Sequence, residues 1–356
     1  MSAATAHPQP VEEIDMENIR RRCSSTGESD GESSESHSKN GSDFEPGSIA
    51  PDGITYMELQ FSYQSVAAQL RYRYGVRPGD SVLICCKGNA AAEIVAMLAC
   101  IKLHAAFIPV DASWIGAGTR LQDILDDARP IAAIVVAEDD SDKAVVALAN
   151  AELYRCLYLS PMGDIVESFN TLKDDNGFSV ETFSLDNGDD SVPGTPTGES
   201  NSRDNNQHYG NSTQPIYLLY TSGSTGRPKG VRGTESGLLN RIAWQWATFP
   251  FSPGEVVFRR TPLIFVDAIA EIFSALLSLT PLWCPPVEQL AAEGIGGIAE
   301  DAHEADVSRI TLLPSQLMQA LKLHPDLGEK WQSLKTVFVS GEECPRALLP
   351  QVRERL

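Results

Sequence analysis

Hydroxyl side chains, glycines and one lysine are concentrated in a twelve-residue run behind an apolar segment. The run is Tyr220-Thr221-Ser222-Gly223-Ser224-Thr225-Gly226-Arg227-Pro228-Lys229-Gly230-Val231, and residues 215–220 have the pattern of a buried strand. Glycines let backbone N–H groups approach an anion closely, the hydroxyls add donors, and Lys229 adds one compact positive charge. Residues of these types in this order predict a loop that binds a phosphate chain.

Two other interpretations of the run are a plain turn and a Walker P-loop. A cluster of Gly, Ser and Thr after a strand often forms only a turn, in which Lys229 would be an exposed lysine without a ligand. The Walker motif requires G-x-x-x-x-G-K-[ST], but Arg227 and Pro228 separate Gly226 from Lys229. The Walker motif is therefore absent, and the order of all twelve residues favours a phosphate loop over a plain turn.

The run resembles the phosphate-loop signature of the adenylate-forming superfamily, which contains acyl-CoA synthetases, luciferases and the adenylation domains of nonribosomal peptide synthetases. Residues 54–59 (I-T-Y-M-E-L) and 102–111 (K-L-H-A-A-F-I-P-V-D) resemble two further motifs of that family, although His104 and Ala105 stand where glycine or alanine is commoner. Residues 337–342 (V-F-V-S-G-E) resemble its adenine-binding strand and turn. The resemblance extends from about Gly53 to Leu356, apart from one insertion.

The resemblance implies activation of a carboxylic or amino acid by ATP, which gives an acyl-adenylate and releases pyrophosphate. It also implies Mg²⁺ as a cofactor. Lys229 and the hydroxyl and glycine positions of the loop would hold the phosphates; these residues are Thr221, Ser222, Gly223, Ser224, Thr225, Gly226 and Lys229. Ser340, Gly341 and Glu342 would line the adenine and acyl pocket, although Gly341 also fits an ordinary strand-to-helix turn.

The expected acid pocket departs from the pattern of peptide synthetases. There, a Phe-Asp pair lies six and five residues before a Glu, and the Asp binds the α-amino group of the substrate. Phe265 and Glu271 keep the six-residue spacing, but Val266 follows Phe265 and the carboxylate is at Asp267. Phe265, Val266 and Asp267 are the substrate candidates, and Asp267 would either meet a β-amino group or cap a helix starting at Ala268. The pattern is closest to the β-alanine-activating and plant acyl-activating branch of the family.

Several parts of the family pattern have no counterpart before Leu356. They are a Y-G-x-T-E loop, a ribose-binding aspartate and a small C-terminal domain with the catalytic lysine. We therefore expect an N-terminal fragment that has no catalytic residue of its own and turns over nothing alone. In the intact protein the acyl group would pass to a phosphopantetheine thiol, on CoA or a carrier domain. The alternative is a catalytically incomplete nucleotide-binding protein with a regulatory or interaction role.

Two segments carry most of the net charge of −20 over the 356 residues. Residues 1–50 and 161–215 have net charges of −6 and −8 and are rich in Ser, Gly, Asn and Asp, so they predict disorder. They are solvated linkers or sites of docking or phosphorylation. The chain then divides into an acidic tail (1–50), the first part of an AMP-binding domain (51–160), an acidic insertion (161–213) and the phosphate loop with an incomplete second part (214–356).

Composition also restricts partners and location. The acidic balance argues against nucleic acid and anionic membranes as partners. A small carboxylic or amino acid is the partner that the family resemblance implies. The seven cysteines contain no C-x-x-C pair and predict no metal site. No signal peptide or long apolar run is present, which favours a reducing compartment, with the cytoplasm as the default.

Strand-like and helix-like segments alternate along the rest of the chain, which predicts an α/β fold. The expected strands are 81–86, 106–110, 132–137, 156–159, 215–220, 256–260, 282–284, 309–312 and 336–339. The expected helices are 90–103, 120–128, 235–249, 268–279, 288–304, 315–323 and 346–355. Repeated βαβ units imply largely parallel sheets with helices on both faces, as in the large N-terminal domain of the adenylate-forming fold. Ligands bind such sheets beyond the carboxyl ends of strands, which places Thr221, Phe265 and Ser340 at the site.

Overall fold

The computed structural model describes residues 53–86, 91–114, 119–136, 148, 155–160, 162–163, 165–174, 177–184, 214–223 and 227–356. The chain divides into two units, 1–48 and 49–356, and every described residue belongs to the second unit. The predicted acidic tail lies outside the described residues, as does residue range 185–213 of the predicted insertion.

Helices and strands alternate in the described residues much as the sequence predicts. The first part contains α1 (Tyr56–Tyr72), β1 (Ser81–Cys86), α2 (Ala91–Lys102), β2 (Ala106–Asp111), α3 (Arg120–Ala128), β3 (Ala132–Val136), β4 (Arg155–Leu159), β5 (Ile165–Asp174) and β6 (Gly177–Ser184). The second part contains β7 (Pro215–Thr221), β8 (Lys229–Thr234), α4 (Glu235–Thr248), β9 (Val256–Phe258), α5 (Val266–Leu276), β10 (Leu282–Trp283), α6 (Val287–Gly297), α7 (Ala299–Glu304), β11 (Val307–Leu312), α8 (Pro314–Leu323), α9 (Leu327–Lys330), β12 (Thr336–Val339) and α10 (Leu348–Arg355).

The strands form two sheets. The larger has the order β6-β5-β4-β3-β1-β2-β7-β8, and its strands from β4 to β7 run parallel. Its edge pairs β4–β5, β5–β6 and β7–β8 are antiparallel. The smaller sheet has the order β10-β9-β11-β12 and is parallel throughout. The predicted α/β class with largely parallel sheets is confirmed.

Strand β1 shows how helices cover both faces of the larger sheet. Alternate residues of a strand point to opposite faces. Val82 and Ile84 belong to the core cluster that contains buried residues of α1 and α2. Leu83 belongs to the opposite cluster, which contains Ile124 of α3. A strand buried on both sides must be apolar at every position, as S-V-L-I-C-C nearly is.

The prediction of disorder throughout the insertion 161–213 is wrong for β5 and β6. These two strands form a hairpin that pairs with the edge of the larger sheet at β4. Their sequences, I-V-E-S-F-N-T-L-K-D and G-F-S-V-E-T-F-S, contain regularly placed aromatic and β-branched residues. Pairing with β4 satisfies backbone groups that an acidic segment alone would leave to water, so a partner strand outweighs overall composition here.

The single helix expected over 288–304 is instead two helices, α6 and α7. Gly294 has a φ of 68°, a conformation outside the helical region that glycine adopts without strain. The second helix starts at Ala299 after Ile298, whose backbone is also not regularly helical.

A buried ion cluster joins the first part of the chain to the second. The guanidinium of Arg259, which is 1% exposed, lies 2.9 Å from Glu93 Oε2 on α2 and 3.3 Å from Glu271 Oε1 on α5. Burial lowers the pKa of Arg259, but attraction to the two carboxylates outweighs that effect and raises the pKa overall. The guanidinium therefore stays charged and ties α2 to α5.

We expect Arg259→Met to lower the free energy of unfolding by about 3–5 kcal/mol, because it leaves buried carboxylates without a positive partner. Chemical denaturation followed by circular dichroism measures the change. Lys330→Met is the control, since Lys330 contacts Glu300 at 3.4 Å in solvent and its loss should change stability little. A loss for Arg259→Met no larger than that of the control would contradict the expectation.

Candidate nucleotide and acid site

The base of the predicted phosphate loop is an antiparallel hairpin. Thr221 is the last residue of β7 and pairs in register with Lys229, the first residue of β8. The Thr221 hydroxyl lies 3.5 Å from the Lys229 carbonyl oxygen. Lys229 therefore begins a strand rather than lying within the loop, and the connection comprises residues 222–228. Ser224, Thr225 and Gly226 lie outside the described residues.

Position 223 of this connection requires glycine, because its backbone lies close to that of Arg227. A Cβ atom on Gly223 would collide with the carbonyl oxygen of Arg227. Gly223 and Arg227, the described residues on either side of positions 224–226, therefore lie close together. Both described ends of the connection lie at the carboxyl end of β7, where the topology of a parallel sheet places ligands.

Positive charge is concentrated on the same hairpin. Arg227, Lys229 and Arg232 are all exposed within six residues of a chain whose net charge is −20. Cations collected on one hairpin raise the local concentration of anions there, although the protein as a whole repels them. The hairpin therefore combines a close backbone approach at Gly223 with charge of the sign that a phosphate chain needs.

The first turn of α5 carries the three substrate candidates. Phe265 is the N-cap residue, in an extended conformation, and α5 begins at Val266. Phe265 and Val266 are 55% and 56% exposed, while Asp267 is half-buried. The alternative that Asp267 caps a helix starting at Ala268 is wrong, because Asp267 lies inside the helix and the N-cap position makes no side-chain hydrogen bond.

Asp267 and Ser340 are in direct contact. The hydroxyl of Ser340, which follows β12, donates a hydrogen bond of 2.8 Å to Asp267 Oδ2. The backbone N–H of Ser340 in turn donates to the carbonyl oxygen of Leu312 at the end of β11. The sequence reasoning placed these two residues in one pocket, and the structure brings them together.

The turn after Ser340 has a conformational requirement for glycine. Gly341 has a φ of 81°, and a Cβ there would lie 2.7 Å from Leu313 Cδ2. The Glu342 carboxylate accepts a hydrogen bond of 3.2 Å from the backbone N–H of Ser315, in the first turn of α8. A carboxylate at a helix N-terminus satisfies a free N–H and suits the helix dipole. This contact gives Glu342 a structural role, and its binding of a ligand stays a prediction.

Glu271 has a role that the sequence reasoning missed. Its carboxylate accepts hydrogen bonds of 2.9 Å from the backbone N–H of Arg260 and from the Thr261 hydroxyl. Burial raises the pKa of Glu271, while Arg259 and these donors oppose the rise. The carboxylate thus fixes the chain before α5 against the helix itself. The donors to this carboxylate all come from the R-R-T sequence at residues 259–261. That cluster of donors before the helix was the sequence feature that could have indicated the role of Glu271.

The hairpin and the acid pocket are separate features within the described part of the chain. No hydrogen bond between described residues joins Thr221, Ser222, Gly223 or Lys229 to Asp267 or Ser340. The described residues also contain no group of three or more His, Cys, Asp or Glu that could hold a metal ion. None of their helices is both long and apolar enough to span a bilayer.

Comparison with known proteins gives one family. The family described as AMP-binding enzyme matches residues 48–356. The chain is 29% identical over 285 residues to the Beta-alanyl-bioamine nonribosomal peptide synthetase ebony of Drosophila melanogaster. That alignment covers 77% of this chain and 27% of the relative. The chain is also 27% identical over 297 residues to Enterobactin synthase component F of Escherichia coli O157:H7. That alignment covers 83% of this chain and 19% of the relative. The chain therefore spans about a quarter or less of these relatives.

Solved structures share the fold. VinN in complex with L-aspartate aligns with a TM-score of 0.58 and 17% identity, over 85% of this chain and 67% of that chain. O-succinylbenzoate Coenzyme A Synthetase (MenE) from Bacillus subtilis, in complex with ATP and magnesium ion, aligns with a TM-score of 0.57 and 16% identity, over 85% and 53%. With the family match over most of its length, the chain belongs to the AMP-binding, or adenylate-forming, enzymes.

Proposed function

We propose that this chain binds ATP and a small carboxylic or amino acid, and that the intact protein joins them as an acyl-adenylate with release of pyrophosphate. The β7–β8 hairpin carries this proposal, because Gly223 lies against the Arg227 backbone and exposed cations lie beside it in a member of an adenylate-forming family. The acyl group would then pass to a phosphopantetheine thiol, on CoA or on a carrier domain of the kind that peptide synthetases use.

The residues present fit the phosphate chain of a nucleotide. Lys229 would neutralise phosphate charge, Thr221 and Ser222 would donate hydroxyl hydrogen bonds, and the turn at Gly223 would present backbone N–H groups. Ser224, Thr225 and Gly226 would complete this cradle. Bound ATP with Mg²⁺ supplies the electrophilic phosphorus and the pyrophosphate leaving group. The protein contributes position and positive charge where negative charge develops.

Asp267 is the proposed site for a substrate amino group. The Ser340 hydroxyl donates to Asp267 Oδ2, and no described residue donates a hydrogen bond to Asp267 Oδ1. Oδ1 can therefore accept a hydrogen bond from a substrate ammonium group. Val266 follows Phe265 and cannot pair with an ammonium in the way that the usual aspartate does. A carboxylate one residue later favours an amino group at a different distance from the acid carboxyl, as in a β-amino acid. The name of the Drosophila relative includes a beta-alanyl group, and VinN was solved with L-aspartate, which agrees with an amino acid substrate.

Lys229→Ala should weaken the binding of Mg-ATP by about tenfold or more, because it removes a charge-assisted hydrogen bond to phosphate. Isothermal titration calorimetry on the chain measures the dissociation constant. Lys322→Ala removes an exposed lysine of α8 and serves as the matched control. Equal affinities for the two variants would contradict the role of Lys229. Nucleotide binding without any ATP–pyrophosphate exchange by the full-length protein would favour the nucleotide-binding regulator instead.

Asp267→Ala should reduce ATP–pyrophosphate exchange by the full-length protein with β-amino acids at least about tenfold, because the ammonium loses its counter-charge. Exchange with acids of the same length that lack an amino group should change much less. A panel of α-amino, β-amino and fatty acids makes this comparison. Asp301→Ala is the control, since Asp301 also accepts a hydrogen bond from a neutral donor, the Gln289 side-chain amide, at 2.7 Å. A uniform loss over the whole panel would contradict the ammonium site.

A further inference from the structure

Two residues of α3 contact the same tyrosine at the start of the phosphate hairpin. Arg120 and Asp127 lie seven residues apart on α3, which is about two helical turns, so they share one face. Both reach Tyr220, the residue before Thr221. The helix belongs to the first part of the chain and the tyrosine to the second. These contacts therefore connect the β7–β8 hairpin to α3.

The first contact is a hydrogen bond to the tyrosine ring. The Tyr220 hydroxyl donates to Asp127 Oδ2 at 2.7 Å, and Tyr220 is only 5% exposed. Burial and the neighbouring carboxylate raise the pKa of Tyr220 well above its usual value. The phenol therefore keeps its proton and remains a donor, and the carboxylate makes the bond charge-assisted.

The second contact holds the backbone of the same residue. An Arg120 Nη2 atom lies 3.5 Å from the Tyr220 carbonyl oxygen. The guanidinium itself lies over the Trp114 ring, with Cζ 3.8 Å from the ring centroid, so stacking restrains its position. Tyr220 is thus held at its ring by Asp127 and near its carbonyl by Arg120.

The tyrosine ring also touches the second arm of the hairpin. Gly230 pairs with Tyr220 across the two strands, and a Cβ on Gly230 would lie only 3.1 Å from Tyr220 Cζ. Gly230 directly follows Lys229, while Tyr220 directly precedes Thr221. The Tyr220 ring, which belongs to β7, therefore contacts β8 directly beside Lys229.

We propose that Asp127 and Arg120 are positioning residues that hold the β7–β8 hairpin through Tyr220. They would thereby set the positions of Thr221 and Lys229 for binding a nucleoside triphosphate. The proposal rests on the proposed function. The three residues together are called the loop clamp below. The clamp acts on the nucleotide end of the site, because its contacts lie on the hairpin and not on Asp267 or Ser340.

Four single variants and the double variant of Tyr220→Phe with Asp127→Ala test the clamp in the full chain. Tyr220→Phe removes the donor and Asp127→Ala removes the acceptor, whereas Asp127→Asn keeps one acceptor oxygen. Tyr74→Phe is the matched control, since Tyr74 is 1% exposed and its hydroxyl donates at 2.7 Å to the Cys156 carbonyl oxygen. That bond lies near the amino end of β4, away from the carboxyl edge of the sheet. The control therefore loses a comparable buried hydrogen bond outside the hairpin.

Mg-ATP binding is the first readout. We expect Tyr220→Phe and Asp127→Ala each to weaken it about tenfold, as befits a charge-assisted hydrogen bond. The double variant should lose little more than either single variant, and Asp127→Asn should recover part of the loss. In the full-length protein the KM for ATP should rise while the KM for the acid stays unchanged. Affinity equal to wild type in both Tyr220→Phe and Asp127→Ala, or an equal loss in Tyr74→Phe, would overturn the proposal.

Limited trypsin cleavage after Lys229 is the second readout and needs no nucleotide. Tyr220→Phe and Asp127→Ala should be cut there several times faster than wild type and Tyr74→Phe, because a looser hairpin opens more often. If wild type fails to bind Mg-ATP, the proposed function fails, and the cleavage rates alone decide whether the clamp holds the hairpin. Equal cleavage rates in Tyr220→Phe and Tyr74→Phe would overturn the clamp whatever the nucleotide result.

Discussion

The antiparallel pairing of β7 with β8 is the constraint on which the proposed nucleotide end of the site depends. It sets Thr221 opposite Lys229, so the residues on either side of the connection start from fixed positions. Gly223 lies close to the backbone of Arg227, and the Tyr220 ring lies against Gly230 on the opposite arm. A loop of glycines and hydroxyls would otherwise have many conformations, and binding an anion would require most of them to be lost. The paired strands and the buried ring would reduce that cost before the proposed ligand arrives.

The proposed acid end of the site depends on a different set of buried contacts. Arg259 connects α2 to α5, and Glu271 fixes the backbone of Arg260 and Thr261 before the helix begins. A buried ion cluster of this kind is weak evidence for added stability, because the desolvation of its charges offsets much of their attraction. Its geometric effect is firmer: it fixes the first turn of α5, where Asp267 meets Ser340. The two ends of the site are thus positioned by independent networks.

Sequence patterns predicted the parts of this protein that depend on local order. The apolar run of β1 could be interpreted without knowledge of the rest of the fold. The same holds for the twelve-residue run that begins at Tyr220, whose phosphate-binding role stays a prediction. Residues that act through distant partners could not be interpreted in this way. Arg259 gives no sign in the sequence that Glu93, 166 residues away, will pair with it, and the same holds for Tyr220 and Asp127. The β5–β6 hairpin was missed for a related reason, because its stability comes from the edge of a sheet that composition does not reveal.

Hydrogen–deuterium exchange of the chain with and without Mg-ATP tests the central claim most directly. The account predicts that the nucleotide slows exchange in peptides covering residues 215–234, which contain both arms of the hairpin and its connection, because bound phosphates would engage the N–H groups there. Peptides of β5 and β6, at the other end of the larger sheet, should be unchanged. Protection elsewhere with none in residues 215–234, or no protection at saturating Mg-ATP, would contradict a phosphate-binding hairpin.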